Sequence, residues 1–401
     1  MKVCLIRCPS PFLINDRLFP PLGLMAVGTA LKERGHDVTI YDGFICNLPA
    51  REFEYYGFGP TTPEYFYAKL MRDIIREYNP KAKIVIGGAH ATLNPDMCMN
   101  EGWDCTVVGD GEMMAERAFL NDRPTQIARE RNLDDYSIPD RGLIDMGKYK
   151  YSLNGIPATT MVTSKGCPYH CAFCCKNHGK VRMRSAEKVS EEIRYLYNLG
   201  YKAIAFPDDI FILDRRRTEK VFRTLMAFGI SWRCLVRADL LLKYGTDFTE
   251  SMARSGCIEV GMGIESGSEK ILKTINKGEK VETIKEAIWM LKSSGIRVKG
   301  FFIVGLPGES NETLNETRRF LDEMKLDDID VKIYQPFPFS PIWENRTKYD
   351  IQWGGQDLKD MFYKGRPGEY RGSVRTAALT NDEIVSAWID MEAKYKRYAS
   401  P

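Results

Sequence analysis

Cys167-Pro-Tyr-His-Cys171-Ala-Phe-Cys174 sets three thiols at CxxxCxxC spacing directly behind a strand-like run, Thr159–Ser164. Three thiolates in one loop can hold an iron–sulfur cluster and leave one iron without a protein ligand. Such an iron can bind and reduce a molecule, whereas a fully ligated cluster mostly passes electrons. The competing chemistry is zinc, with Cys175 or His178 as the fourth ligand. Structural zinc usually pairs two knuckles, however, and no second CxxC lies elsewhere in the chain. The cluster is the leading reading, and Cys175, pointing away from its neighbour, reads as a buried or spare thiol.

The elements that must position this loop follow from periodicity. From residue 157 onward, strand candidates are Thr159–Ser164, Ala203–Phe206, Trp232–Val236, Glu259–Ile264, Val298–Val304 and Val331–Tyr334. Helical patterns between them start near Ser185, Thr218, Asp247, Val281 and Glu312, with Ser185 a good N-cap. Six β-to-α steps predict a partial TIM-like barrel, whose working residues come from loops at the carboxyl ends of the strands. The candidates fall on that face: the three Cys after the first strand, Pro207-Asp208-Asp209 after the second and Arg237 at the end of the third. Glu265-Ser266 end the fourth strand, and Ile303 with Gly305 the fifth.

Residues 1–120 carry a separate series. Strands are expected at Lys2–Arg7, Asp37–Tyr41, Glu54–Phe58, Lys83–Ile86 and Cys105–Val108, with helices at Leu22–Arg34 and Pro63–Tyr78. This alternation predicts a doubly wound parallel sheet whose ligands bind beyond the carboxyl ends of its strands. The connection from Gly43 to Phe53 has no helical periodicity, so a crossover helix is missing there. His90 is the one His on a binding turn, and reads better as a satisfied polar residue than as a metal ligand. Residues 121–156, with Pro124 and Pro139, read as an extended linker. Residues 157–340 form the barrel, and 341–401 a Gly- and charge-rich extension, helical from Thr380 to Tyr395, that closes the barrel mouth.

A 401-residue chain with 44% hydrophobic and 28% charged residues can build two domains with sizeable cores. The net charge of +3 offers no electrostatic reason to expect nucleic acid or an anionic membrane as partner. Eleven Cys form no even ladder, which argues against a disulfide framework and for a reducing compartment. The N-terminus reads as a first strand and not as a signal peptide, and no run approaches a membrane span. A cytoplasmic protein is expected.

CxxxCxxC with Phe173 before the last Cys resembles the radical S-adenosylmethionine (SAM) superfamily. Phe206-Pro-Asp-Asp-Ile-Phe211, Gly261-Met-Gly-Ile-Glu-Ser-Gly267 with Asn276-Lys-Gly278, and Gly300–Glu309 stand in the order seen in the branch with an N-terminal cobalamin-binding-like domain. The resemblance implies a shortened cobalamin-binding-like domain, a (β/α)6 barrel and a C-terminal helical extension. It also implies a 4Fe–4S cluster on Cys167, Cys171 and Cys174, with SAM chelating the free iron. Asp208 and Asp209, with Pro207 in the same turn, would meet the SAM amino group. Arg237, read from its place at the strand end, could pair with the substrate carboxylate as a bidentate fork or make a salt bridge with Glu265. Glu265 and Ser266 would take ribose hydroxyls, and Ile303, Gly305 and Phe173 would lie along adenine.

The implied reaction is reductive cleavage of SAM to methionine and a 5′-deoxyadenosyl radical that abstracts hydrogen from a small or mid-sized metabolite. Rearrangement, deoxygenation, epimerisation or dehydrogenation follows, and no catalytic residue beyond the cofactor site is assigned. Flavodoxin or ferredoxin is the expected electron donor. Cobalamin-dependent C-methylation is the alternative outcome, and a zinc-stabilised binding protein the alternative from another class. Against cobalamin stand the missing crossover helix and the absence of the branch's DxHxxG element, which lends an axial His in one subgroup; relatives without that His still hold cobalamin. No Cys follows Cys257, which excludes a C-terminal auxiliary cluster.

Overall fold

The computed structural model describes residues 1–11, 13, 15–121, 123–175, 180–353, 372 and 374–397. Its chain divides into two compact units, Met1–Lys150 and Tyr151–Pro401.

The first unit is a six-stranded sheet in the order β2-β1-β3-β4-β5-β6: β1 Lys2–Ile6, β2 Asp37–Tyr41, β3 Tyr55–Phe58, β4 Lys83–Ile86, β5 Cys105–Val108 and β6 Thr125–Ile127. All of these pairs are parallel. Alternation along β1 sends Val3 and Leu5 to a core with Met25, Leu31 and Phe119. It sends Cys4 and Ile6 to the opposite core with Met71 and Ile75. Helices Leu22–Glu33 and Gly111–Leu120 therefore cover one face and Tyr65–Tyr78 the other. Strand order reverses between β1 and β3, which places the binding crevice at their carboxyl ends.

Residues 43–53 hold only a 3-10 turn, Ile45–Asn47, as their lack of helical periodicity implied. Residues 121–156 differ from the expected free linker. They supply β6, which pairs with β5, and three 3-10 turns capped by the side chains of Asn132, Asp140 and Asp145. Asp140 pairs with Lys32 at 2.8 Å, and its amide donates to Thr29 Oγ1, strapping this segment onto helix Leu22–Glu33. A three-residue strand is too short to show a period, so sequence patterning could not reveal it.

Gly88 marks the tightest backbone approach in the crevice. Its φ is +78°, and an added Cβ would lie 3.0 Å from the carbonyl carbon and oxygen of Gly59. Gly88→Ala is therefore expected to cost about 2 kcal/mol from the left-handed backbone and the contact together. Denaturant unfolding of the variant would measure it, and an unchanged midpoint would refute this account.

In the second unit, β7 Ser152–Leu153 is an antiparallel edge beside six parallel strands: β8 Ile156–Thr160, β11 Ala203–Phe206, β12 Ser231–Val236, β13 Cys257–Glu265, β14 Arg297–Val304 and β15 Asp328–Ile333. The order β15-β14-β13-β12-β11-β8-β7 is a curled half-barrel with helices between successive strands. Ser185 caps helix Ala186–Asn198 by accepting from the Lys188 amide, as its position implied. The aromatic core includes Phe206 stacked on Phe211 at 4.3 Å between ring centroids, with Trp232 and Phe222 beside them.

Two details depart from the sequence pattern. The first barrel strand stops at Thr160, and Ser164–Lys165 (β9) pairs instead with Arg182–Met183 (β10) in a small antiparallel ribbon flanking the Cys loop. The terminal helix, Asn381–Tyr395, packs along edge strand β15 as the sixth barrel helix. Its Glu392 accepts from the Val331 amide at 2.9 Å and its Trp388 donates to the Val331 carbonyl at 2.8 Å. These two bonds occupy an edge that would otherwise present unpaired backbone.

Candidate active site

The Cys loop is held from its backbone. The Ala172 amide donates to the Ile275 carbonyl at 2.7 Å, the Asn276 side chain to the His170 carbonyl at 2.9 Å, and the Ile342 amide to the Ala172 carbonyl at 3.0 Å. Cys167 and Cys171 are half-buried and Cys174 reaches solvent. Burial raises the Cys171 thiol, with the cations of Lys277 and Arg237 pulling it back. The Cys174 thiol is pushed up to about 12, by desolvation first and then by the neighbouring Cys171 and Cys167 sulfurs and the Asp209 carboxylate. Iron binding at these sulfurs must therefore displace their protons.

Among the described residues no three His, Cys, Asp or Glu side chains stand close enough to share a single ion. The three thiols nonetheless act on one another. A cluster needs only these three sulfurs, each on a different iron, whereas tetrahedral zinc takes a fourth ligand. Cys175 is half-buried, and His178 lies outside the described residues.

Around the loop, the strand-end candidates separate into those facing it and those turned inward. Asp208 is buried, and both its oxygens are taken by the amide and hydroxyl of Thr163. Burial raises its pKa against these bonds. Asp208 thus pins the exit of β8, and the Thr163 bonds explain why that strand ends early. Asp209 and Pro207 are exposed, and Asp209 makes no hydrogen bond or ion pair among the described residues. Ser266 is also turned inward, its hydroxyl bonding Thr317 at 3.1 Å on helix Asn311–Met324.

Glu265 terminates β13 at a register shift, with φ +67°, a conformation that costs a non-glycine residue about 1–3 kcal/mol and clusters at functional sites. Its partner is Lys277 at 3.1 Å, not Arg237 as the sequence reading allowed. Lys277 also reaches Glu279 at 3.5 Å; burial would lower its pKa, but the two carboxylates overcome burial and raise it. Arg237 is likewise committed, to Asp239 at 3.2 Å, Glu279 at 3.3 Å and the Lys277 carbonyl at 3.0 Å. Its guanidinium is closed by protein and presents no open fork to a carboxylate ligand. Sequence reasoning assigned no role to Lys277, Glu279, Asn276, Thr163 or Tyr169. Asn276-Lys-Gly278 stood in the motif order, but nothing in its spacing reveals that the Asn276 side chain grips the Cys loop.

Ile303 is half-buried, and Gly305, at φ +85°, is packed by Ile384 and Val374. Glu309 accepts from the Gly305 amide, and burial pushes its acid up to about 8 against the pull of the Gly305 and Leu306 amides. A folded-state pKa above the unfolded value stabilises fully below about 4.3 and loses that stability as pH rises through 8. Glu309→Gln is expected to flatten the stability profile between pH 5 and 8 by roughly 2–5 kcal/mol. Parallel profiles for variant and parent in thermal unfolding would contradict this.

At the crevice of the first unit, the turns after β3, β4 and β5 carry Gly59, Gly87-Gly88 and Gly109. His90 is buried, stacked on Tyr65 at 3.8 Å, and its Nδ1 meets Thr62 Oγ1 at 3.2 Å. Burial lowers its pKa to about 4. Its Nε2 is buried with no hydrogen-bond partner among the described residues, so the ring is only half satisfied where the sequence suggested a fully satisfied polar residue; the first loop, Cys8–Leu18, contains no His.

Comparison with known proteins adds three findings. Residues 161–321 match the radical SAM superfamily profile and residues 17–119 the B12 binding domain profile. An uncharacterized methyltransferase of Pyrococcus horikoshii is 30% identical over 387 residues, 86% of this chain and 83% of that protein. An anaerobic magnesium-protoporphyrin IX monomethyl ester cyclase of Rubrivivax gelatinosus is 28% identical over 71% of this chain, which spans 56% of the cyclase's length. The fold is similar to that of the radical SAM methyltransferase TsrM from Kitasatospora setae, a structure with cobalamin and a 4Fe–4S cluster bound. The TM-score is 0.75 at 15% identity, covering 98% of this chain and 91% of TsrM. At that identity the likeness is one of fold. No helix among the described residues is long and apolar enough to cross a membrane.

Proposed function

Because the chain belongs to the radical S-adenosylmethionine superfamily, in the branch with an N-terminal B12 binding domain, we propose that it is a cobalamin-dependent methyltransferase acting on a small or mid-sized metabolite. One observation carries this reading: the chain matches both a B12 binding domain and a radical SAM domain, and it is 30% identical over 86% of its length to a protein named as a methyltransferase. It reverses the order that the sequence suggested, where hydrogen abstraction without cobalamin came first. The missing crossover helix and the absent DxHxxG element weigh less than the match over residues 17–119. Ring closure draws support from the cyclase relatives, which are 26–28% identical and of whose lengths this chain spans 56–67%.

When bound, the cluster and SAM supply reductive carbon–sulfur cleavage, and cobalamin supplies a carrier for the methyl group. Cys167, Cys171 and Cys174 would ligate the cluster, with Phe173 shielding it. Asp209, exposed beside the loop, is the better acceptor for the SAM amino group, because Asp208 is occupied by Thr163. Glu265, fixed by Lys277, would receive the ribose hydroxyls, and Ile303 and Gly305 would line adenine. In the first unit the glycine turns would let backbone approach the corrin closely. His90, packed into its own turn, would leave the cobalt without a histidine ligand. A low-potential donor such as flavodoxin or ferredoxin would deliver the electron.

Anaerobic reconstitution with iron, sulfide and hydroxocobalamin tests the reading. Stoichiometric corrin with about four irons per chain is expected, and His90→Ala should keep its corrin. Protein that loads iron but repeatedly retains no corrin would return the hydrogen-abstraction reading to first place. One zinc and no iron would end both.

A further inference from the structure

Arg237 touches the Cys loop in two ways that its other partners make rigid. Its Nη1 faces Cys171 Sγ at 4.0 Å, and its guanidinium lies over the Tyr169 ring at 3.6 Å from the centroid. Tyr169 belongs to the same CxxxC segment as Cys171. Behind the guanidinium, Asp239 holds Nε, and the Lys277 carbonyl and Glu279 hold Nη2. Arg237 is only 6% exposed, so water screens its charge little. Cys174, by contrast, lies near the Asp209 carboxylate.

We propose that Arg237 is a positioning residue for the cluster: a fixed cation and N–H donor aimed at the Cys171 sulfur, which raises the reduction potential of the cluster those thiols hold. The physical basis is general, since cluster potentials respond to nearby charge, to hydrogen bonds on sulfur and to solvent exposure. Reduction adds one electron to the cluster and no proton, so a neighbouring positive charge favours the reduced form. Glu279, buried against the same guanidinium, opposes it. The pair therefore sets the ease of reduction from within the protein, before any ligand binds. This inference rests on the cluster reading above.

The test is an EPR-monitored redox titration of reconstituted protein at pH 8 without SAM, with SAM affinity measured separately by calorimetry. Arg237→Gln is expected to move the midpoint to lower potential and Glu279→Gln to higher, with Arg237→Lys recovering part of the loss. SAM affinity should stay at the parent level in all three. Midpoints that stay together, or that move in the same direction, would overturn the proposal. So would a loss of SAM affinity at constant potential, which would make Arg237 a carboxylate clamp after all. If Arg237→Gln fails to load a cluster, the lysine and Glu279 variants still decide the sign. A parent protein that forms no four-iron cluster would instead sink the functional reading itself.

Discussion

Cys171→Ala is expected to lose both its cluster and SAM cleavage, by more than about a thousandfold, equivalent to at least ~4 kcal/mol of barrier. Cys171 is the thiol most deeply involved with the rest of the site, half-buried beside Arg237 and Lys277. Its loop is fixed by the Ile275 carbonyl and Asn276 side chain, so a neighbour cannot swing in to replace it. Two remaining thiols leave a second iron without a protein ligand and open the cluster to loss. Cys175→Ala is the matched control, adjacent in sequence and expected to keep parent levels of iron and of 5′-deoxyadenosine formation. Iron and sulfide content with a SAM-cleavage assay measures both variants. Turnover persisting in Cys171→Ala would overturn its ligand assignment, and turnover lost in Cys175→Ala would move the third ligand from Cys174 to Cys175.

Lys277→Met should destabilise the barrel by about 3–5 kcal/mol, the range for removing one partner of a buried ion pair. The lysine is 5% exposed and balances two carboxylates, Glu265 at 3.1 Å and Glu279 at 3.5 Å. Methionine matches its length but leaves Glu265 without its ion-pair partner, at a residue already carrying left-handed backbone strain. The strand end at Glu265 should then relax, and SAM affinity should fall with it. Lys277→Met combined with Glu279→Gln removes one charge of each sign and should recover part of the stability. Denaturant midpoints compare the three proteins. A single variant as stable as the parent would show that the network is solvated enough to tolerate an unpaired carboxylate.

Much of the fold was legible because periodicity reports burial. The five longer strands of the first unit, the Ser185 cap and four of six barrel strands stand where alternation and capping chemistry put them, within a residue or two, and the last barrel strand begins three residues early. The misreadings have a common origin in residues whose partners are distant in sequence. Asp208 carries the same side chain as Asp209, yet Thr163, 45 positions earlier, occupies one and leaves the other exposed. Arg237 ends its strand as expected, but Lys277 and Glu279, about 40 residues later, close its fork.

The amino-acid sequence by itself determined the order of most strands and helices and singled out the three thiols as a candidate site, because both are written in local spacing. Only the tertiary structure decided which polar groups at the strand ends face the Cys loop and which are spent on protein partners. That choice depends on charge pairing in a low-dielectric interior, where a carboxylate 3 Å from a buried lysine and one facing water do different chemistry, and no local pattern encodes such a pairing.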